Sequence, residues 1–343
     1  EVGEAGFNDA NLARLVQVPM KIDANLSVTK ESIAFNPVTI ESPGVGGSLT
    51  GAFYRDENTV SAVFKLFAVP GALPPAAAAK FDGTIALSGE VKTASDGGVT
   101  VEGIELKSGT IEAAGTVALA QSNLTADLKG TLPDLGKVLD DAKGKAEFTA
   151  AVTGPLAELG IKAELTSSGA TLAGRTLSDL NVKADAKANP SSPQASLTAT
   201  GALDGQAIDV KADVVSKDGQ TAIPVLEARI GENKLTGAIS FTPDFKPDGT
   251  VTFDLPDLGL LAAMAGQKAS GDLNGSAAIK TANGITSVVV KAGGSGIKRD
   301  QLTISKPTAD ITIADLAALA IKGSIRAETV AQGENRVSGL AVD

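Results

Sequence analysis

Two pairs of carboxylates stand close enough along the chain to share acid and base work: Asp140 with Asp141, and Asp254 with Asp257. Paired carboxylates divide those roles when their surroundings push their proton affinities apart. Both pairs flank segments that read as short helices, where an aspartate caps free N–H groups or faces water. Ser27-Val28-Thr29-Lys30 has the Ser-x-x-Lys spacing of acyl transfer, yet the companion Ser-Asp-Asn and Lys-Thr-Gly elements are missing and the match falls in an alternating strand. Gly130 to Val138 imitates a phosphate loop. It has five residues rather than four between Gly130 and Gly136, and Val138 stands where a hydroxyl residue is required. Gly44-Val45-Gly46-Gly47 has Leu49 at the third glycine position of a dinucleotide loop. Gly293-Gly294-Ser295-Gly296, ahead of Lys298-Arg299, reads as a turn rather than an anion nest. Histidine and cysteine are both absent, which removes the usual general base, the commonest metal ligands and any disulfide. These residues predict no catalysis, no cofactor and no metal.

The elements that hold such residues are built from small apolar side chains. Of the 343 residues 43% are hydrophobic but only 3% aromatic, and there are 38 glycines. That mixture suits many short strands joined by tight turns. The net charge of −10 argues against nucleic acid, whose phosphates need a basic partner. No run approaches the ~20 apolar residues of a membrane-crossing helix. Glu1-Val2-Gly3-Glu4 lacks the basic start and apolar core of a signal peptide. The expectation is an internal piece of a longer protein, with any anchor or export signal outside it.

Alternation at period two recurs along the chain. Thr84 to Ser88, Ile208 to Val214 and Val251 to Leu255 each place apolar side chains on one face and polar ones on the other. Asp96-Gly97-Gly98, Asp218-Gly219, Asp248-Gly249 and Asn283-Gly284 mark hairpin turns. Helical signals are short: Asp9 to Val18, Pro133 to Ala142, Pro256 to Ala265 and, more weakly, Pro74 to Lys80 and Ala314 to Ala320.

An internal repeat organises these pieces. Glu102 to Leu106 leads to a strand opening on Gly115, then Leu124 to Leu128, then Leu132-Pro133-Asp134-Leu135-Gly136. Leu226 to Ile230 leads to a strand opening on Gly237, then Val251 to Asp254, then Leu255-Pro256-Asp257-Leu258-Gly259. A weaker copy runs from Gly51 through Val63 to Leu66 and on to Val69-Pro70-Gly71-Ala72-Leu73. The repeat is some 60 residues long, with a degenerate copy near Asn189 to Pro193. It divides one continuous chain, 1–343, into 20–80, 81–142, 143–265 (two repeats) and 266–343. Hairpins with one apolar face cannot bury that face alone, so stacked repeats extend one sheet. The predicted fold is mainly β: an elongated, repetitive, curled antiparallel sheet, β-taco or solenoid-like, with a few short helices.

This order of a Gly-led strand, a further strand, Leu-Pro-Asp-Leu-Gly and a new strand pair resembles the TamB family within the AsmA-like repeat proteins. Leu106 to Val152 and Leu226 to Ile279 match best, and Ser295 to Gly323 is similar to the family's recurring tail. The resemblance implies a periplasmic protein anchored in the inner membrane, whose curled sheet encloses an apolar groove. It implies a role in phospholipid transport between the membranes, in outer-membrane protein assembly, or in both. The implied partners are phospholipid acyl chains and an Omp85-class outer-membrane barrel, the latter through regions outside this chain.

Ile85, Leu87, Val117, Leu119, Ile208, Val210, Ile239, Phe241, Val251 and Phe253 are the expected groove lining, being the apolar members of alternating strands. The same alternation serves a closed, dry core, so a passive structural or adhesive β solenoid is the rival reading. A scaffold whose free sheet edge pairs with client strands is a third.

Overall fold

The structure, a computed structural model, describes residues 19–79, 81–264 and 266–343. The helix expected at Asp9 to Val18 lies outside the described residues. The chain divides into two compact units, residues 1–167 and 168–343, and alternating strands build both.

In the first unit the strands are β1 (Lys21–Val28), β2 (Ser32–Glu41), β3 (Val45–Tyr54), β4 (Thr59–Ala68), β5 (Ile85–Thr93), β6 (Val99–Lys107), β7 (Glu112–Ala120), β8 (Asn123–Leu132), β9 (Ala142–Gly144), β10 (Ala146–Pro155) and β11 (Leu159–Leu172), the last running on into the second unit. Each strand from β1 to β8 pairs antiparallel with the next. β8 then pairs with β10, and β10 with β11. The second unit continues with β12 (Arg175–Ala188), β13 (Gln194–Leu203), β14 (Gln206–Lys217), β15 (Gln220–Ile230), β16 (Asn233–Phe241), β17 (Pro247–Leu255), β18 (Ser270–Gly271), β19 (Leu273–Ala282), β20 (Ile285–Gly293), β21 (Gly296–Arg299), β22 (Leu302–Ser305), β23 (Thr308–Asp315), β24 (Ala320–Gln332) and β25 (Asn335–Val342). The strands there pair antiparallel too, with β21 and β22 forming a side hairpin before β20 meets β23. The predicted antiparallel β architecture is therefore what the protein adopts.

Up-and-down order sorts the connections onto two margins of the sheet within each unit. One carries the helical pieces: a 3₁₀ turn at Pro70–Ala72 and helix α1 (Pro75–Ala78) after β4, a 3₁₀ turn at Leu135–Lys137 after β8, and helix α2 (Leu258–Met264) after β17. We call this the helical margin. The other, the hairpin margin, carries short turns. Asp218 and Gly219 both have positive φ, as do Asn283 and Gly284, the backbone of the primed turns that match strand twist. No helix among the described residues is long and apolar enough to cross a membrane.

The three Gly-led strands share one distortion. Gly51 faces Phe35, Gly115 faces Ile104 and Gly237 faces Leu226, and beside each pair the register slips, between Phe35 and Val38, Val101 and Ile104, and Ile223 and Leu226. Such bulges bend a strand and raise its twist.

Pro133 and Pro256 occupy matching places, each one residue past a strand end. The following aspartates do the same job. Asp134 Oδ1 accepts from the Gly136 N–H at 2.9 Å, and Asp257 Oδ1 from the Gly259 N–H at 2.9 Å. Replacing Asp257 by alanine is expected to cost about 1 kcal/mol, the usual worth of an N-cap, read as a lowered urea midpoint.

Three local expectations are corrected. Pro133 to Ala142 forms only the Leu135–Lys137 turn, which is capped at Val138 with φ −116°, and Asp141, at φ 60°, then leads the chain into β9. Ala314 to Ala320 is a strand end, a turn and a strand start, since Asp315 already pairs with Ala320. Asp248-Gly249 lies inside β17 rather than in a turn. The hairpin is instead Thr242 to Lys246, closed by Thr242 N–H donating to the Lys246 carbonyl at 3.0 Å.

Candidate functional site

Register places the alternating residues of neighbouring strands on common faces. Across β3 and β4 one face holds Val45 with Ala68, Gly47 with Leu66, Leu49 with Phe64 and Phe53 with Val60. Across β8 and β10 it holds Leu132 with Ala146, Gly130 with Phe148, Leu128 with Ala150 and Ala126 with Val152. The other face of the same strands carries Ser48 with Lys65, Lys129 with Thr149 and Thr131 with Glu147. One face of this unit is thus apolar from β1 to β11, and the second unit repeats the pattern. There Leu235 faces Phe253 and Val251 faces Ala277, while Thr236 faces Thr252 on the back.

All ten sequence-predicted lining residues sit on these apolar faces. Leu87 pairs with Leu106, and Val117 stands between Val101 and Ala126. Ile208 stands between Gly201 and Ile230, and Ile239 between Ile223 and Gly249. Ile85, Leu87, Val117 and Leu119 belong to the first unit, and the other six to the second. Each of the ten is half-buried and none is fully buried. Among the described residues only Leu203 of the large side chains is completely out of water, at 0% exposure. A dry core of ordinary density would have hidden most of these side chains.

The apolar floor is kept low by a device that sequence reading missed. The Phe64 ring lies over Gly89, the Phe148 ring over Gly130 and the Phe253 ring over Gly275. A Cβ built on each glycine would come within 3.0, 2.7 and 2.9 Å of the ring's Cζ. Glycine opposite an aromatic lets the ring lie along the sheet. All three pairs fall in ladders without a register slip, and it takes the register between two strands, which neither strand shows by itself, to find them.

In the first unit the apolar face lines a half-open cavity of about 670 Å³ between β2 and β6. Its lining includes Val38, Ile40, Leu49, Phe64, Leu66, Ile85 and Leu87, and Ser48 is its one polar residue. Ligand sites commonly measure about 300–1,000 Å³. Ile85 and Leu87 were expected there; the β2 to β4 residues were not singled out, although Val60 to Leu66 carries the same alternation.

The polar face holds ion pairs and no cluster suited to a metal. Lys92 donates to Glu102 at 2.7 Å and lies 3.4 Å from Glu90, and its hydrogen bond to Glu102 is the main cause that raises its pKa. Such exposed pairs add little stability. Among the described residues no group of three or more carboxylates, histidines or cysteines could hold an ion.

The second acidic pair is separated by role: Asp254 faces Lys234 and Asn274 across the strands, while Asp257 caps α2. Ser27 accepts from Asn36 Nδ2 at 3.2 Å, and Lys30 lies in the turn beyond β1. Gly130 lies in β8 and Gly46 and Gly47 in β3, so neither segment is a loop around an anion. The glycine turn near Ser295 is filled by the protein's own carboxylate. Asp272 accepts from the Ser295 N–H at 2.7 Å, from the Gly296 N–H at 3.3 Å and from the Ser295 hydroxyl.

Those bonds, the Ser295 hydroxyl first, hold the Asp272 pKa below its ordinary 3.8. A depressed carboxylate stabilises the fold above its unfolded pKa, and that contribution fades as pH falls through the folded value. Asp272→Ala is therefore expected to lower the urea midpoint at neutral pH. Its gap from the parent protein should close as pH falls below 3.8; a gap unchanged at acid pH would refute the carboxylate's role.

Compared with known proteins, residues 81–201, from the loop before β5 into β13, match the family described as TamB, N-terminal domain. No curated protein and no solved structure matches the chain.

Proposed function

We propose that this chain, which belongs to the TamB family, holds lipid acyl chains on its apolar sheet face and serves phospholipid transport between the inner and outer membranes. The observation that carries this reading is the half-buried state of the apolar face. Fully burying a Val, Leu, Ile or Phe side chain is worth about 1.5–3 kcal/mol, so a half-buried one leaves part of that unrealised. A ligand that covered the face would recover it, at about 0.8 kcal/mol per buried CH₂. Acyl chains need no polar partner, which suits a wall whose members are Val, Leu, Ile, Phe, Ala and Gly. The β2 to β6 cavity offers a ready seat for such a chain.

The family membership supports placement in the periplasm as part of a protein anchored in the inner membrane, working with an Omp85-class barrel through regions outside this chain. Outer-membrane protein assembly fits the same setting. The reading asks for no catalytic group.

The test is photocrosslinking with bound lipid identified by mass spectrometry. Probes at Ile239, Phe241 and Phe253 are expected to capture lipid, and probes at Thr252 and Asp254 on the polar face are not. Capture on the polar face alone would reverse the assignment of faces. Capture at neither would leave the passive solenoid as the better reading.

A further inference from the structure

From β12 to β24 the two margins of the second unit differ sharply in burial. At the helical margin Leu177 is 4% exposed, Leu203 0% and Leu260 6%. Asn233, 3% exposed, ties α2 down: its Nδ2 donates to the Asp257 carbonyl at 2.9 Å and its Oδ1 accepts from the Asp257 N–H at 3.0 Å. At the hairpin margin Phe245 is 78% exposed, Leu319 66%, Ile321 62% and Ile285 50%. These belong to one margin, because the Leu316 N–H beside them donates to the Thr286 carbonyl at 2.9 Å.

Two of the exposed residues are also in an unfavourable conformation. Phe245 has φ 57° and Leu319 φ 50°, values that bulky residues seldom adopt. Held strain at an exposed position is a reason to look for function there. The same loop is ionic as well as greasy, since Asp244 and Lys246 flank Phe245 and pair at 3.0 Å.

We infer that the hairpin margin of the second unit is the mouth of the lipid groove, and that the helical margin is its sealed hem. The inference rests on the lipid reading above and adds the side on which lipid passes. A ligand crossing at Thr242 to Lys246 meets charged and apolar surface within a single loop. That suits a phospholipid, whose acyl chains lie against the sheet while its headgroup stays at the margin in water. A partner strand would need free backbone groups instead, and the loop's Thr242 and Lys246 backbone groups bond each other.

The experiment uses the whole chain and vesicles of phosphatidylethanolamine and phosphatidylglycerol, doped with one of two phosphatidylethanolamines. One carries a diazirine on its headgroup, the other at an acyl terminus. After photolysis the labelled peptides are mapped. The headgroup probe is expected on residues 242–246 and 316–319, several-fold above residues 256–272, with the acyl probe on the apolar face of β16 and β17. Headgroup label on the helical margin together with acyl label on that face would overturn the mouth while leaving the lipid reading intact. Absence of acyl label anywhere would overturn both.

A double variant, Phe245→Asn with Leu319→Asn, gives a second measure. Asparagine tolerates left-handed backbone, so the loops keep their form, which circular dichroism checks. Lipid uptake is expected to fall several-fold; unchanged uptake would overturn the inference.

Discussion

Ile239→Asp is expected to fold, with a urea midpoint near that of the parent protein, and to lose most of its bound lipid. Ile239 lies on the apolar face of β16 with Ile223 on one side and Gly249 on the other. It is half-buried, so losing its apolar contacts should cost about 1 kcal/mol. An aspartate there still reaches water when the face is empty. In a sealed core the same carboxylate would be unpaired and dry. The cost would then be several kcal/mol, a large part of the total stability of a domain. A ligand laid over the face, by contrast, would have to strip water from the charge, so binding suffers where folding does not. Thr250→Asp on the exposed back of β17 is the control and should change neither quantity. An unfolded Ile239→Asp protein would establish a closed core. A folded one with its full lipid load would show that lipid lies elsewhere.

The strands were legible because their environment is one-sided. Ile208 to Val214 and Val251 to Leu255 alternate since one face meets apolar neighbours and the other meets water, and the structure keeps both in strands, β14 and β17. The Leu-Pro-Asp-Leu element was legible for a local reason, as proline stops a ladder and aspartate caps the next turn within three residues.

Where reading failed, one residue type served two purposes. Asp248-Gly249 looks like a hairpin turn, but Gly249 is needed inside β17 because a Cβ there would collide with the Ala238 carbonyl oxygen and lie 2.8 Å from the Ile239 Cα. Asp315 makes the bonds of a helix cap, to the Ala317 N–H at 2.9 Å and the Ala318 N–H at 3.3 Å. Strand pairing then reclaims the chain at Ala320, so the cap opens a turn and no helix.

The lining was legible as a face but not as a site. All ten residues fell on the apolar side, yet the first unit's cavity draws on Val38, Ile40, Leu49 and Phe64. Which apolar residues converge depends on curvature, and curvature is set by bulges. Bulges follow from how two strands match, which no single strand reveals. The two margins were hidden for the same reason. Phe245 and Leu260 are both apolar residues beside β17 in sequence, and only the direction of the strands puts one at the exposed hairpin margin and the other within α2, buried at the helical margin.

Gly115→Val is expected to damage the first unit severely, costing about 3 kcal/mol, the upper end of the range for overpacking. Gly115 lies in β7 between Ile104 and Leu128. A Cβ built there would collide with the Asp127 carbonyl oxygen and stand 2.8 Å from Leu128 Cδ2. The leucine could turn aside, but a carbonyl in a paired strand has nowhere to move. β7 and β8 must separate locally, and their hydrogen bonds lengthen with them. The site also faces the slip between Val101 and Ile104, where β6 is already bent and has fewer ladder bonds to hold β7 in place.

Gly103, within that slip, makes the comparison. It has φ 57° and nothing within 4 Å of an added Cβ, so Gly103→Asn should stay within about 1 kcal/mol of the parent. Gly237, the matching residue of the later repeat, should follow Gly115 in kind but less severely, since its Cβ would stand 2.9 Å from the Thr250 carbonyl oxygen. Urea unfolding followed by strand circular dichroism measures all three. An order in which Gly103 is as sensitive as Gly115 would mean that the Gly-led strands owe their glycines to backbone conformation. The order expected makes close contact between strand backbones the cause, and ties the repeating glycine to the bend that shapes the apolar face.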